Sequence, residues 1–78
     1  MPKLTIAYCL DIMEELEKRG FDVMCPHDKL EEVIQLRAGW TRPVIDKYIS
    51  ALIKFGFIKS AEAQGVWNLF HEMKYNYR

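Results

Sequence analysis

The chain has 78 residues, half of them hydrophobic, with four Phe, four Tyr and two Trp, and a formal net charge of zero. That length suits one domain, and the apolar fraction supports a core without disulfides or a metal, although so small a core rarely yields more than about 3–5 kcal/mol. No run approaches the roughly 20 apolar residues that cross a bilayer, and two cysteines make no disulfide framework.

Leu4–Leu10 is too short for a signal peptide and lacks a basic leader, so an intracellular, cytoplasmic protein is expected, with Cys9 and Cys25 as free thiols. Charge is unevenly distributed. Residues 1–36 carry four basic side chains against eight acidic ones, and residues 37–78 carry seven against three (Asp46, Glu62, Glu72). Such asymmetry points to a polyanionic or acidic partner met by the second half.

In chain order, the first helix is expected over about 4–19. Ile6, Cys9, Leu10, Met13 and Leu16 recur at helical spacing, Lys18 and Arg19 fall in the last turn, and Gly20 is the stop. Phe21–Met24 alternates briefly, as a short strand does. A second helix is expected over about 26–37, with Pro26 at a first helical position and Leu30, Val33, Ile34 and Leu36 as apolar positions. Asp28–Glu31 also fits a capping box. Arg37–Trp40 reads as a tight turn.

A third helix is expected over about 41–55. Thr41 is the N-cap, Trp40 precedes it as a staple onto Ile45, and Pro43 lies in the first turn, where a missing N–H costs nothing. Ile45, Tyr48, Ile49, Leu52 and Ile53 form one apolar stripe, and Gly56 ends the helix. Phe57–Ser60 and Val66–Phe70 flank a five-residue, glycine-containing loop, which predicts an antiparallel β-hairpin over about 57–70. The tail, 71–78, fits a strand, a helix or a disordered segment.

The fold class expected is therefore mainly α with a small antiparallel β-hairpin, an α+β domain. Gly39-Trp40-Thr41-Arg42-Pro43-Val44-Ile45-Asp46-Lys47-Tyr48-Ile49, then Leu52, then Gly56-Phe57-Ile58, in this element order, resembles the winged helix-turn-helix family of bacterial and archaeal DNA-binding regulators. Element order carries the likeness across nearly the whole chain, and the sharper pattern covers Gly39 to Ile58. Where that family often places a small residue on the buried face of its second helix, this chain has Val33, Ile34 and Gln35. The resemblance implies three helices and a wing, with the third helix as the recognition helix and the 57–70 hairpin as the wing.

A helix of this size fits the major groove of double-stranded DNA and usually presents its first residues to base edges. The candidate contacts are Thr41, Arg42, Pro43, Val44, Asp46 and Lys47. Arg42 suits a bidentate contact to guanine, Val44 or Pro43 a thymine methyl, and Thr41 a phosphate at the helix N-terminus. Ser50, Lys54 and Lys59 are phosphate candidates. The wing tip, Glu62 to Gly65, carries no Lys or Arg, so little is expected of it.

Trp40 and Trp67 can stack on bases, but packing roles are expected for both. Cys9, Cys25, His27 and His71 match no zinc spacing, so no metal and no cofactor is expected. Cys25 at a helix start suits a thiol sensor, with an inert thiol as the default. No phosphate-binding glycine loop and no nucleophile–base pattern is present, and no enzyme is expected.

The function expected is a transcriptional regulator on double-stranded DNA, without an inferable small-molecule effector. A single module buries only about 600–1,000 Å² on DNA, so a homodimer reading two half-sites is expected, with the first helix and Tyr75–Tyr77 as candidate surfaces. The alternative is a winged-helix assembly module that binds protein and does not read DNA.

Overall fold

The computed structural model describes residues 6–62 and 64–76. Along them run α1 (Ile6–Lys18), β1 (Met24–Pro26), α2 (His27–Arg37), α3 (Arg42–Lys54), β2 (Ile58–Ser60), β3 (Val66–Leu69) and a 3₁₀ helix (His71–Asn76). The described chain is thus mostly helical with a small antiparallel sheet, an α+β arrangement. Leu4 and Thr5, expected in the first helix, and Tyr77, expected in the tail surface, lie outside the described residues.

α1 buries Cys9, Ile12, Met13 and Leu16, with Ile6 and Leu10 half-buried beside them. Ile12 thus joins the stripe expected from spacing. The helix ends where Gly20 adopts φ +90°: its N–H donates to Glu17 O (3.0 Å) and the Phe21 N–H to Leu16 O (3.0 Å). These two bonds are a Schellman stop, which satisfies carbonyls the helix leaves open and needs a left-handed residue. α3 ends the same way. Gly56 (φ +83°) donates to Ile53 O and Phe57 to Leu52 O, at 3.0 and 2.9 Å. Leu52 and Phe57 are fully buried, the apolar contact that accompanies this motif.

β1 lies two to three residues later than the alternation of Phe21–Met24 suggests, and it continues into α2 with no loop between. Pro26 is both the last strand residue and the N-cap of α2, with an extended backbone (φ −60°, ψ 145°) and no side-chain cap bond. α2 therefore starts at His27, and the capping box expected at Asp28 is not used. Leu30, Val33 and Ile34 are buried, whereas Leu36 is 56% exposed and leaves the apolar face.

α3 buries Ile45, Tyr48 and Leu52, with Ile49 half-buried and Ile53 turned outward. Thr41 occupies the N-cap, but its hydroxyl makes no cap bond, and its carbonyl accepts the Ile45 N–H at 3.1 Å. The staple expected from Trp40 does not form: Trp40 is 72% exposed while Ile45 is 1% exposed, already enclosed by the core.

The sheet has three strands in the order β1-β3-β2 and not the two of a bare hairpin. β3 is central, pairing Cys25 with Trp67 on one side and Ile58 with Leu69 on the other. The strand expected to run to Phe70 ends at Leu69. The Phe70 N–H donates to Phe57 O (2.8 Å), and the tail then coils into the 3₁₀ helix. That helix is held to α1: the Lys74 ammonium, 6% exposed, pairs with Glu17, and His71 Nε2 lies 2.7 Å from Phe21 O. Among the described residues no helix is long and apolar enough to cross a membrane.

Candidate nucleic-acid interface

Helical periodicity divides α3 into two faces. With Ile45, Tyr48 and Leu52 committed to the core, Arg42, Pro43, Asp46, Lys47, Ser50 and Lys54 project into solvent. Thr41 at the N-terminal end and Lys59 on β2 are exposed as well. Eight of the nine candidate contacts are therefore surface groups. The ninth, Val44, is half-buried against the core, and a Cβ added at Gly39 would stand 3.7 Å from Val44 Cγ1. Packing against the turn before α3 withdraws Val44 from the face its sequence position suggests.

Arg42 is not a loose side chain. Its Nη1 donates to Glu31 Oε1 (3.1 Å) and its Nη2 to Glu31 Oε2 (3.0 Å), and Nη1 also lies 3.5 Å from Asp46 Oδ1. The Glu31 carboxyl is held below its usual range, chiefly by the hydrogen bond from Arg42, while the same bond raises the guanidinium's value.

Glu31 is supported from behind. His27, one turn earlier on α2, places Nε2 2.8 Å from Glu31 Oε1. Trp67 on β3 donates its indole N–H to His27 Nδ1 at 3.0 Å. An indole N–H is a donor only, so Nδ1 must supply a lone pair, and the proton of a neutral His27 then sits on Nε2 and points at Glu31. A line of hydrogen bonds thus runs from the central strand through α2 to the start of α3.

His27, Glu31 and Trp67 are functional candidates that sequence reasoning missed. The i,i+4 spacing of His27 and Glu31 was a local signal, but Glu31–Arg42 spans a turn and Trp67–His27 spans forty residues. Trp67 is half-buried, the packing role expected of it. Trp40 is the opposite, an exposed ring at the turn before α3.

The charge around α3 is more even than the chain totals suggest. Arg42 is matched by Glu31 and Asp46, whereas Lys54 and Lys59 have no carboxylate partner among the described residues. Beyond the C-terminal end of α3, Ile53, Gly56, Ile58, Lys59, Phe70 and Met73 line a shallow, mostly apolar depression of about 300 Å³. At the hairpin tip, Glu62, Gln64 and Gly65 are exposed and none is basic.

Burial overturns the sensor reading of Cys25. Both cysteines are fully enclosed, and burial pushes each thiol from 9.0 up to about 11. Cys25 Sγ lies 3.3 Å from Pro26 O, and such a thiol is a poor nucleophile near neutrality. Among the described residues no group of three or more His, Cys, Asp or Glu is arranged to hold a metal. Of the expected association surfaces, Tyr75 is 74% exposed and Tyr8 on α1 is 47% exposed, the latter edge-on to Tyr48 at 6.5 Å. No family model, curated protein or solved structure matches this chain.

Proposed function

We propose that this chain is a winged helix-turn-helix module that binds double-stranded DNA with α3 in the major groove, acting as a homodimeric transcriptional regulator. The observation that carries the reading is the outward face of α3. It presents Arg42, Pro43, Asp46, Lys47, Ser50 and Lys54 to solvent over two to three turns, on a helix locked from behind by Ile45, Tyr48 and Leu52. A rigid helix with an open polar face fits the groove without rearrangement. The order helix, strand, helix, helix, strand, strand supports it, being the element order that carries the resemblance.

In this reading Arg42 meets a base edge near the start of α3, Thr41 and the helix N-terminus meet one phosphate, and Lys54 and Lys59 meet others. The hairpin tip adds little, having no cation. Two copies associate through the exposed aromatics of α1 and the tail and read two half-sites.

A salt series with a pool of random duplex DNA tests the proposal. Binding should weaken with salt, and Lys54→Ala with Lys59→Ala together should flatten the slope by about 1.8 per protomer, since each phosphate contact contributes about 0.9. Failure to bind at low salt would sink the reading. A protein-assembly role is the second reading, favoured by the exposed Trp40 ring and by the carboxylates that match Arg42. It predicts that Trp40→Ala abolishes association with a protein partner while both lysine substitutions leave it intact.

A further inference from the structure

Resting on that reading, we infer that Glu31, steadied by His27 and Trp67, is a positioning residue that presents the free edge of Arg42 to a guanine. A guanidinium has five N–H donors in a flat fork. Glu31 takes one from each Nη, end-on, at 3.1 and 3.0 Å, and Asp46 stands 3.5 Å from Nη1. What remains is the Nε–H and the second Nη2–H, side by side along one edge. Nε makes no hydrogen bond among the described residues. Two parallel donors at that spacing match the O6 and N7 acceptors guanine shows in the major groove, a pattern adenine does not offer.

The supports are graded from fixed to free. Trp67 lies in the central strand, His27 in the first turn of α2, the Glu31 side chain is 17% exposed and the Arg42 side chain 59% exposed. Arg42 is thereby anchored at its guanidinium tip and left open along its Nε–Nη2 edge. A long side chain fixed before DNA arrives loses its rotamer freedom on folding and not on binding, and a fixed fork punishes a wrong base more than a flexible one. Glu31 and Asp46 also set two anions beside one cation. The cluster therefore adds no attraction to phosphate and contributes through geometry.

Selection from a random duplex pool, followed by affinity measurements at single-base variants of the selected site, tests this. The relevant base pair is the one whose preference disappears in Arg42→Ala. Wild type should favour G·C there by about 5- to 150-fold, the range of a good bidentate contact. Glu31→Gln should cut that preference at least about fivefold, while affinity for non-specific duplex stays level or rises and the salt slope is unchanged. Trp67→Phe, which keeps an aromatic side chain but deletes the N–H to His27, should move the preference the same way by less. A merely structural role would lower affinity for all sequences together.

The inference is overturned if Glu31→Gln sharpens the guanine preference, for Glu31 would then be masking Arg42. It is overturned equally if DNA binds but no base preference depends on Arg42. Absence of any DNA binding would instead remove the DNA reading itself, and this inference with it.

Discussion

Replacing Glu17 by glutamine and Lys74 by methionine asks which partner of the tail's ion pair bears the cost of burial. Lys74 is the charged side chain that the 3₁₀ helix buries, with 6% exposure, while the Glu17 side chain is 53% exposed. Opposite charges about 4 Å apart attract by roughly 4 kcal/mol at an effective dielectric near 20. Desolvation of the ammonium and screening at the exposed carboxylate offset most of that gain, so the pair as a whole is close to neutral. Its two halves are not equivalent. Glu17→Gln removes the carboxylate paired with the buried ammonium, although Glu14 lines the same depression as the pair, and should cost about 1–3 kcal/mol. Lys74→Met fills the same space and leaves the half-exposed Glu17 beside His71 Nδ1 at 3.6 Å, and should fall within about 1 kcal/mol of wild type. For a domain of this size, about 1 kcal/mol moves Tm by roughly 4–8 °C, so Glu17→Gln should melt visibly earlier. Urea unfolding followed by far-UV circular dichroism and tryptophan fluorescence, with unchanged m-values, reads the difference. A Lys74→Met variant less stable than Glu17→Gln by more than about 1 kcal/mol would refute the reasoning, because the Coulomb gain would then exceed the desolvation cost.

Three further predictions concern the core and its edges. Both buried thiols hold their protons to about 11, against an ordinary 9.0, so the folded state binds more protons between those values. Stability from this source is intact below pH 9 and falls as pH rises through the window, by at most about 1.4 kcal/mol per pH unit for each thiol. The urea midpoint from pH 8 to pH 10.5 should drop less steeply in a Cys9→Ala, Cys25→Ala double variant, and an unchanged slope would count against the assignment. On α2, Leu30→Ala should cost about 2–5 kcal/mol and Leu36→Ala under about 0.5, since the first is fully buried and the second 56% exposed. Comparable losses in thermal melts would mean that Leu36 is covered in solution. Gly20→Ala and Gly56→Ala should each lose about 1–2 kcal/mol to their left-handed backbones. Gly56→Ala should lose more, because its Cβ would meet Met73 Cε at 3.2 Å while Gly20 faces open space, and equal losses would show that Met73 swings aside.

Local chemistry was legible in the sequence and long-range pairing was not. Gly20 and Gly56 could be read as stops because a Schellman motif is decided within six residues by one backbone angle. The two faces of α3 followed from a 3.6-residue period. β1 was located only approximately, since its register is set by Trp67 and Asn68, more than forty residues away. The Trp40 staple failed for a related reason. The rule pairs neighbours at a helix start, but Ile45 is already enclosed by other elements, which leaves no apolar surface there to cover.

The charge asymmetry is the feature whose meaning changes most on folding. Read along the chain, the basic second half suggests a cationic surface. In the fold, three of its seven cations turn to carboxylates of the first half: Arg37 to Asp11, Arg42 to Glu31 and Lys74 to Glu17. The asymmetry is thus in part an internal complementarity that joins α1 and α2 to the later elements. It does not project a field of its full size toward a polyanion. Lys54 and Lys59, with no carboxylate partner among the described residues, are then the leading phosphate candidates, and on the DNA reading the four cations outside those three pairs limit the salt slope to about −3.6 per protomer, against the roughly −6 that seven free cations would give. A measured slope near −6 would mean that these ion pairs open on DNA, with the first half's carboxylates displaced. A slope of about −3.6 or shallower would mean that the three pairs stay closed on DNA.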